Sequence, residues 1–223
     1  MRRMIAAGPP AKRAPHIGLA GGSAWGFAGG SAWFGTALFV LLIVLSVAAA
    51  AADEKLRPGE FIPATPPQPA PQAGFTDADG KPANLADFKG KPVVVNLWAT
   101  WCQPCLKEMP SLDRLQKNLA GRLIVAAVSE DRGGATRVGP FVDAMGLKKL
   151  TIYLDPKGDL GHAFAVRGLP TSILIDAQGR VVGRVEGAAE WDSAKIMAIL
   201  KPLLESGPDD EDGVKGVIKA SGR

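Results

Sequence analysis

Two cysteines, Cys102 and Cys105, are the only thiols of this 223-residue chain, and two residues separate them. A pair at this spacing can cycle between a dithiol and a disulfide, or bind a soft metal ion such as copper(I). A purely structural disulfide is disfavoured, because closing so short a loop contributes only about 2 kcal/mol. The two histidines, His16 and His162, lie far from the pair in sequence, which argues against a four-ligand zinc site. The spacing therefore favours redox chemistry, with copper binding as the alternative.

The two cysteines stand where a predicted strand passes into a predicted helix. An apolar, β-branched run covers residues 93–98, and a helical pattern follows over residues 103–119. A cysteine at a helix N-terminus faces free backbone N–H groups and the positive end of the helix dipole, which lower its thiol pKa from about 8.5. We therefore expect Cys102 to be the attacking thiolate and Cys105, inside the first turn, to be the resolving thiol.

Glu108 is an acidic residue on an otherwise apolar stripe of this predicted helix. The stripe also contains Cys105, Leu112, Leu115 and Leu119. Burial would raise the pKa of Glu108 toward the range in which a carboxylate can exchange protons with a thiol near neutral pH. The alternative is a glutamate at the edge of the stripe, in contact with solvent.

The elements around this pair predict an α/β fold with a mixed central sheet flanked by helices. A hairpin is expected at residues 75–81, where an Asp-Gly turn occurs. The remaining predicted strands cover residues 93–98, 123–128, 150–154, 172–175 and 180–186, the last two as an antiparallel pair. The predicted helices cover residues 103–119, 139–145, 160–165 and 191–204.

The N-terminal region carries all of the excess charge. Four basic residues and no acidic one occur in residues 1–52, so the rest of the chain is neutral although the net charge is +4. This leaves no basic face for nucleic acid in the folded part. Residues 32–52 are almost wholly apolar and would span about 31 Å as a helix, which predicts a transmembrane anchor. The basic arm, residues 1–31, would then remain in the cytoplasm.

A cleaved signal peptide is the alternative to this anchor, because small residues at 48–52 offer a cleavage site. Both interpretations place the rest of the chain in an exported, oxidising compartment. Residues 53–73 are rich in proline and predict an extended linker. The folded domain is expected over residues 74–205, and the acidic residues 206–223 are expected to form a mobile tail.

The motif WATWCQPCLKEMP, residues 98–110, resembles the thioredoxin superfamily and, within it, the membrane-anchored TlpA/ResA-like branch. Residues 75–84, 168–172 and 187–191 resemble further segments of the same branch. The resemblance covers about residues 58–204. It implies a thioredoxin fold and a thiol–disulfide oxidoreductase that needs no organic cofactor.

The resemblance also implies roles for individual residues. Cys102 corresponds to the nucleophile and Cys105 to the resolving cysteine. Pro170 corresponds to a cis-proline beside the disulfide, and Leu169 and Trp101 to neighbours that contact the partner protein, although Trp101 could instead be a core aromatic.

One position departs from thioredoxin, which carries a buried aspartate where this chain has Asn96. Asparagine cannot titrate, so Glu108 becomes the candidate proton acceptor for Cys105. His162 is expected at the surface or in a structural role, because nothing pairs it with the motif. Pro110 is expected to kink the first long helix.

The implied activity is reduction of disulfides in exported, cysteine-containing proteins from a single-pass position in the inner membrane, with the folded domain in the periplasm. Copper-centre assembly proteins of cytochrome oxidase or apocytochrome c are the implied partners, and a membrane protein would supply electrons. Two alternatives remain open. An oxidase of the DsbA type has the same fold, because direction depends on reduction potential. A non-enzymatic copper(I) chaperone would use the same cysteines as ligands.

Overall fold

The computed structural model describes residues 58–205, 216–217 and 219–220, which build one mixed β-sheet with helices on both faces. The strands are β1 (Glu60–Pro69), β2 (Phe75–Asp77), β3 (Pro82–Ala83), β4 (Val93–Trp98), β5 (Ile124–Ser129), β6 (Thr151–Leu154), β7 (Thr171–Ile175) and β8 (Arg180–Glu186). Across the sheet they run in the order β1-β8-β7-β4-β5-β6-β2-β3. The α-helices are α1 (Gln103–Asn118), α2 (Gly134–Met145), α3 (Asp159–Ala163) and α4 (Ala194–Glu205), and a 3-10 helix covers Leu85–Phe88.

Strand β4 lies at the centre of the sheet, and all six of its residues are buried. It pairs in parallel with β5 and antiparallel with β7, so the predicted mixed sheet is confirmed. Because side chains alternate along a strand, Val94 and Trp98 belong to the apolar cluster on one face, and Val95 and Leu97 to the cluster on the other. The continuous apolar run thus forms a strand covered on both faces.

Helix α1 packs on the same face as α2 and α4. Met109 and Leu112 of α1 are fully buried beside Ile199 and Leu200 of α4. Burying each such side chain contributes about 1.5–3 kcal/mol, which fixes α1 against the sheet. Helix α3 covers the opposite face through Leu160.

The predicted proline-rich spacer is wrong for Glu60–Pro69, because these residues form β1 and pair antiparallel with β8. Proline lacks a backbone N–H, but an edge strand tolerates it where the missing donor would face outward. Phe61 enters the core, and a Cβ at Gly183 on the neighbouring strand would collide with its ring. The folded domain therefore begins before residue 74, where the sequence predicted its start.

The ends of the chain fall mostly outside the described residues. The predicted anchor, residues 32–52, lies wholly outside them, and the described helices include none long and apolar enough to cross a membrane. Most of the predicted tail is also outside. Val217, however, is fully buried in the cluster that contains α1 and α4, which a mobile tail does not explain.

Candidate active site

The cysteine pair lies between the end of β4 and the first turn of α1. Cys102 is the N-cap residue of α1, and its Sγ accepts a hydrogen bond from the backbone N–H of Cys105 at 3.3 Å. The two cysteines form a disulfide whose Cα atoms are 5.3 Å apart. Cys102 remains 5% exposed and Cys105 is fully buried. The free N–H groups of the first turn would favour a thiolate at Cys102 in the reduced protein.

A buried carboxylate holds the loop that precedes Cys102. Asp131 accepts hydrogen bonds from the backbone N–H and the Oγ1 hydroxyl of Thr100, both at 2.7 Å, and from the Ser129 hydroxyl at 2.8 Å. Arg137 of α2 approaches the same carboxylate, with Nε 3.2 Å from Oδ1. Because Thr100 stands two residues before Cys102, this network fixes the backbone that leads into the disulfide.

The segment beside the cysteine pair contains the expected cis-proline. The Leu169–Pro170 peptide is cis, which confirms the prediction from the resemblance. The Pro170 carbonyl accepts a hydrogen bond from the Gly187 backbone N–H at 2.9 Å, and the Thr171 hydroxyl donates to the Gly168 carbonyl at 2.8 Å. The first bond ties the turn that carries Pro170 to the end of β8, and the second ties it to the start of β7.

Glu108 is buried on the inner face of α1, with 1% of its surface exposed, which confirms the predicted burial. Its Oε1 accepts from Asn96 Nδ2 at 2.7 Å, and its Oε2 accepts from the Ala189 backbone N–H at 3.0 Å and from Trp191 Nε1 at 3.1 Å. Burial raises the pKa of Glu108, and these three donors act in the opposite direction without cancelling the effect. The carboxyl group can therefore take up a proton at a higher pH than an ordinary glutamate.

Asn96 connects Glu108 to the strand that follows the cis-proline. Its Nδ2 donates to Glu108 and also to the Ser172 hydroxyl at 2.8 Å. Its Oδ1 is buried and has no hydrogen-bond partner. The amide thus supplies a neutral donor at the position where thioredoxin has an acid. Its Oδ1 atom remains an unpaired acceptor.

Trp101 and Leu169 line one groove at the surface next to the cysteine pair. Trp101 is 63% exposed, so it is not the core aromatic that the sequence left open. His162 is exposed and lines the same groove, in keeping with its expected surface position. A large exposed aromatic at such a place offers an apolar contact to another polypeptide.

Sequence reasoning missed the residues that position this site from a distance. Asp131 and Thr100 were assigned no role, although they fix the loop before Cys102. Ala189 and Trp191 fell within a segment quoted only for its resemblance, and both donate to Glu108. A polar residue close to the end of a buried strand, as Asp131 is two residues after β5, was the one signal available.

A disulfide at the N-terminus of a helix, a cis-proline directly before the strand that pairs with the end of β4, and a mixed sheet define a thioredoxin-like thiol–disulfide oxidoreductase. Comparison with known families agrees, because the model of the redoxin family matches residues 65–200. The chain belongs to the redoxin family.

Relatives with established names point to the same activity. The chain is 38% identical over 120 residues to the thiol-disulfide oxidoreductase ResA of Bacillus thuringiensis subsp. konkukian, covering 53% of this chain and 68% of that protein. It is 33% identical over 142 residues to ResA of Bacillus subtilis, covering 62% and 77%. Both relatives carry the name of the class that the fold and the cysteine pair define.

Solved structures include similar folds. A putative thiol:disulfide interchange protein DsbE from Chlorobium tepidum is 26% identical, with a TM-score of 0.52, and the match covers 70% of this chain and 96% of that one. The exposed lipoprotein thioredoxin of Streptococcus pneumoniae is 30% identical, with a TM-score of 0.52, and the match covers 61% and 100%.

Proposed function

We propose that this oxidoreductase works as a reductase of disulfides in exported partner proteins. The Cys102 thiolate attacks one sulfur of the partner disulfide, and the partner's other sulfur leaves as a thiolate. Cys105 then attacks Cys102, which releases the reduced partner and leaves the Cys102–Cys105 disulfide. The observation that carries this proposal is the asymmetry of the pair: Cys102 caps the helix and keeps 5% of its surface exposed, whereas Cys105 is fully buried one turn from a buried carboxyl group.

Glu108 is the proposed proton acceptor for Cys105. A buried thiol must lose its proton before it can attack, and no solvent reaches it directly in the described structure. Glu108 lies three residues further along α1, on the same face, and burial raises its pKa, which makes it a stronger proton acceptor than an ordinary glutamate. Asn96, which takes the place of thioredoxin's aspartate, donates to Glu108 but cannot titrate.

Trp101, Leu169 and Pro170 form the proposed contact surface for the partner. Trp101 and Leu169 line the same groove, and the cis-proline follows Leu169 directly. The exposed indole and the Leu169 side chain offer an apolar surface on which an extended segment of the partner can lie next to the disulfide.

The cellular setting of the proposal comes from the sequence. The apolar run at residues 32–52 and the basic arm before it support a single-pass anchor in the inner membrane, with the folded domain in the periplasm. The resemblance to the TlpA-like branch favours copper-centre assembly proteins of cytochrome oxidase as partners, ahead of apocytochrome c. A membrane electron donor would regenerate the dithiol, because the oxidising compartment supplies no reducing thiols.

Trapping tests the proposal directly. A Cys105→Ser variant of the full chain, expressed in the native host, should accumulate mixed disulfides with exported cysteine proteins, whereas Cys102→Ser should trap none. The Cys102–Cys105 couple should have a reduction potential nearer to about −270 mV than to the roughly −120 mV of a strong oxidant. A potential near the second value would identify an oxidase instead.

A reporter fused after Leu204 should be active outside the cytoplasm, and its retention inside would refute the proposed location.

A further inference from the structure

A groove of about 490 Å³ opens beside Trp101 and Leu169, and three exposed cationic side chains, Arg132, Lys157 and Arg167, line it. We propose that this groove binds an acidic segment of the partner polypeptide close to its reactive cysteine. The inference rests on the proposed function, since it requires the partner's cysteine to be at Cys102. It adds the chemistry by which the enzyme would select among partners.

The network that holds the active-site loop also places the positive charge next to it. Asp131 binds Thr100 through two hydrogen bonds of 2.7 Å, so the residues that follow them, Arg132 and Trp101, are held on neighbouring segments. The Glu130 backbone N–H donates to the Trp98 carbonyl at 2.9 Å, which continues the pairing of the two segments. Arg132 is therefore held at the same end of the sheet as the cysteine pair.

The groove keeps an excess of positive charge. Within the part of the chain that the structure describes, Arg132 and Lys157 take part in no ion pair. Arg167 lies 3.1 Å from Glu186, but Arg184 lies 3.4 Å from the same carboxylate. The single negative charge of Glu186 is thus shared by two guanidinium groups, and one positive charge remains uncompensated. An anionic side chain bound in the groove could form an ion pair with Arg167.

One acidic side chain, Glu130, faces the groove from inside. It is half-buried, and burial together with the nearby Asp155 carboxylate raises its pKa, while His162 acts in the opposite direction. Glu130 is one acid beside three cations, so it offsets only part of their charge. This acid does not remove the positive character of the groove.

An extended segment suits the shape of this surface. The exposed face of Trp101 and the side chain of Leu169 form an apolar wall next to the disulfide, and the cations lie along the same groove. An extended chain advances about 3.4 Å per residue, so acidic side chains within four positions of the partner's cysteine stay within about 14 Å of it. We therefore place the selected acidic residues within four positions of that cysteine.

Matched peptides test this selectivity. Three peptides of equal length would carry one cysteine flanked on both sides by aspartate, by serine or by lysine, each cysteine blocked as a disulfide with 2-thiopyridine. The Cys102 thiolate of the reduced full chain attacks the peptide sulfur, and the released 2-thiopyridone reports the rate by its absorbance. At low salt, the aspartate peptide should react about tenfold faster than the lysine peptide, and 0.5 M salt should remove most of this preference.

Two double variants with the same change in charge separate the groove from the whole protein. Arg132→Glu with Lys157→Glu should abolish or invert the preference for the aspartate peptide. Lys117→Glu with Arg122→Glu should keep it, because these two exposed cations lie in the last turn of α1, about 22 Å along the helix from Cys102, and in the turn that follows the helix.

The outcomes distinguish the two proposals. Fast reaction with equal rates for all three peptides, or loss of the preference in both double variants, would overturn the groove while leaving the proposed reductase intact. Failure of the unaltered protein to react with any peptide would overturn the proposed function, and the groove with it.

Discussion

Replacing Glu108 with glutamine tests whether its carboxyl group accepts the Cys105 proton. The variant should fold, because the glutamine carbonyl can occupy the Oε2 position and still accept from Ala189 and Trp191. Its NH2 group would then face Asn96, whose free Oδ1 can accept that bond if the amide turns over. Ser172 can donate its hydroxyl proton to the same oxygen, and the Asn96 NH2 group then takes the position in which Oδ1 had no partner, so one buried amide group is unpaired, as in the unaltered protein.

The expected loss is kinetic. General-base assistance typically accelerates a step about 10²–10⁴-fold, and Cys105 is fully buried, so water offers no direct substitute for Glu108. We expect resolution of the mixed disulfide at pH 7 to slow about 10²-fold. The rate in the unaltered protein should rise with pH through the raised pKa of Glu108, and this rise should be missing from the variant.

The assay follows a mixed disulfide formed between Cys102 and a peptide, by acid quenching and mass spectrometry. Glu205→Gln is the matched control, because Glu205 is exposed at the end of α4 and should leave the rate unchanged. Equal resolution rates for Glu108→Gln and the unaltered protein across pH 6 to 8 would refute the role of Glu108 and leave solvent as the acceptor.

Three further predictions concern stability and reactivity. Burial raises the folded-state pKa of Glu108 above its ordinary 4.5, so its protonated form favours folding; this stability is complete below pH 4.5 and is lost as pH rises through the raised pKa. Urea unfolding of the oxidised protein should show that loss, and an identical pH profile for Glu108→Gln would contradict it. Asp131→Asn removes one acceptor from a buried charged network and should lower the free energy of unfolding by about 2 kcal/mol, whereas no change in the urea midpoint would count against that network. Cys102 should alkylate much faster than Cys105 in the reduced protein, as read by mass spectrometry of peptides, and equal rates would be incompatible with the assigned roles.

The local parts of the site could be predicted from sequence because their causes are local. The apolar run predicted β4, and the helical period placed Glu108 on the buried stripe of α1 with Cys105. The donors to Glu108 could not be found in this way. Ala189 and Trp191 are 81 and 83 residues away, and only the folded sheet brings them to α1.

The proline-rich segment shows the same limit in the backbone. A polyproline spacer and a β-strand are both extended, so local composition describes either equally well. The difference is made by β8, which supplies the hydrogen-bonding partner for Glu60–Pro69. The cis form of the Leu169–Pro170 peptide is likewise set by its surroundings, and only the resemblance to known proteins indicated it.

The two ends of the described sheet also limit how another polypeptide can bind. One edge is β1, in which Pro63, Pro66, Pro67 and Pro69 lack backbone N–H donors, and the other is β3, only two residues long. Such edges are poor templates for an added strand, which guards against aggregation of neighbouring molecules through their sheets. They also disfavour recognition of a partner by strand addition. Contact with another polypeptide would therefore depend on the side chains of Trp101 and Leu169 next to the cysteine pair, and not on an added strand.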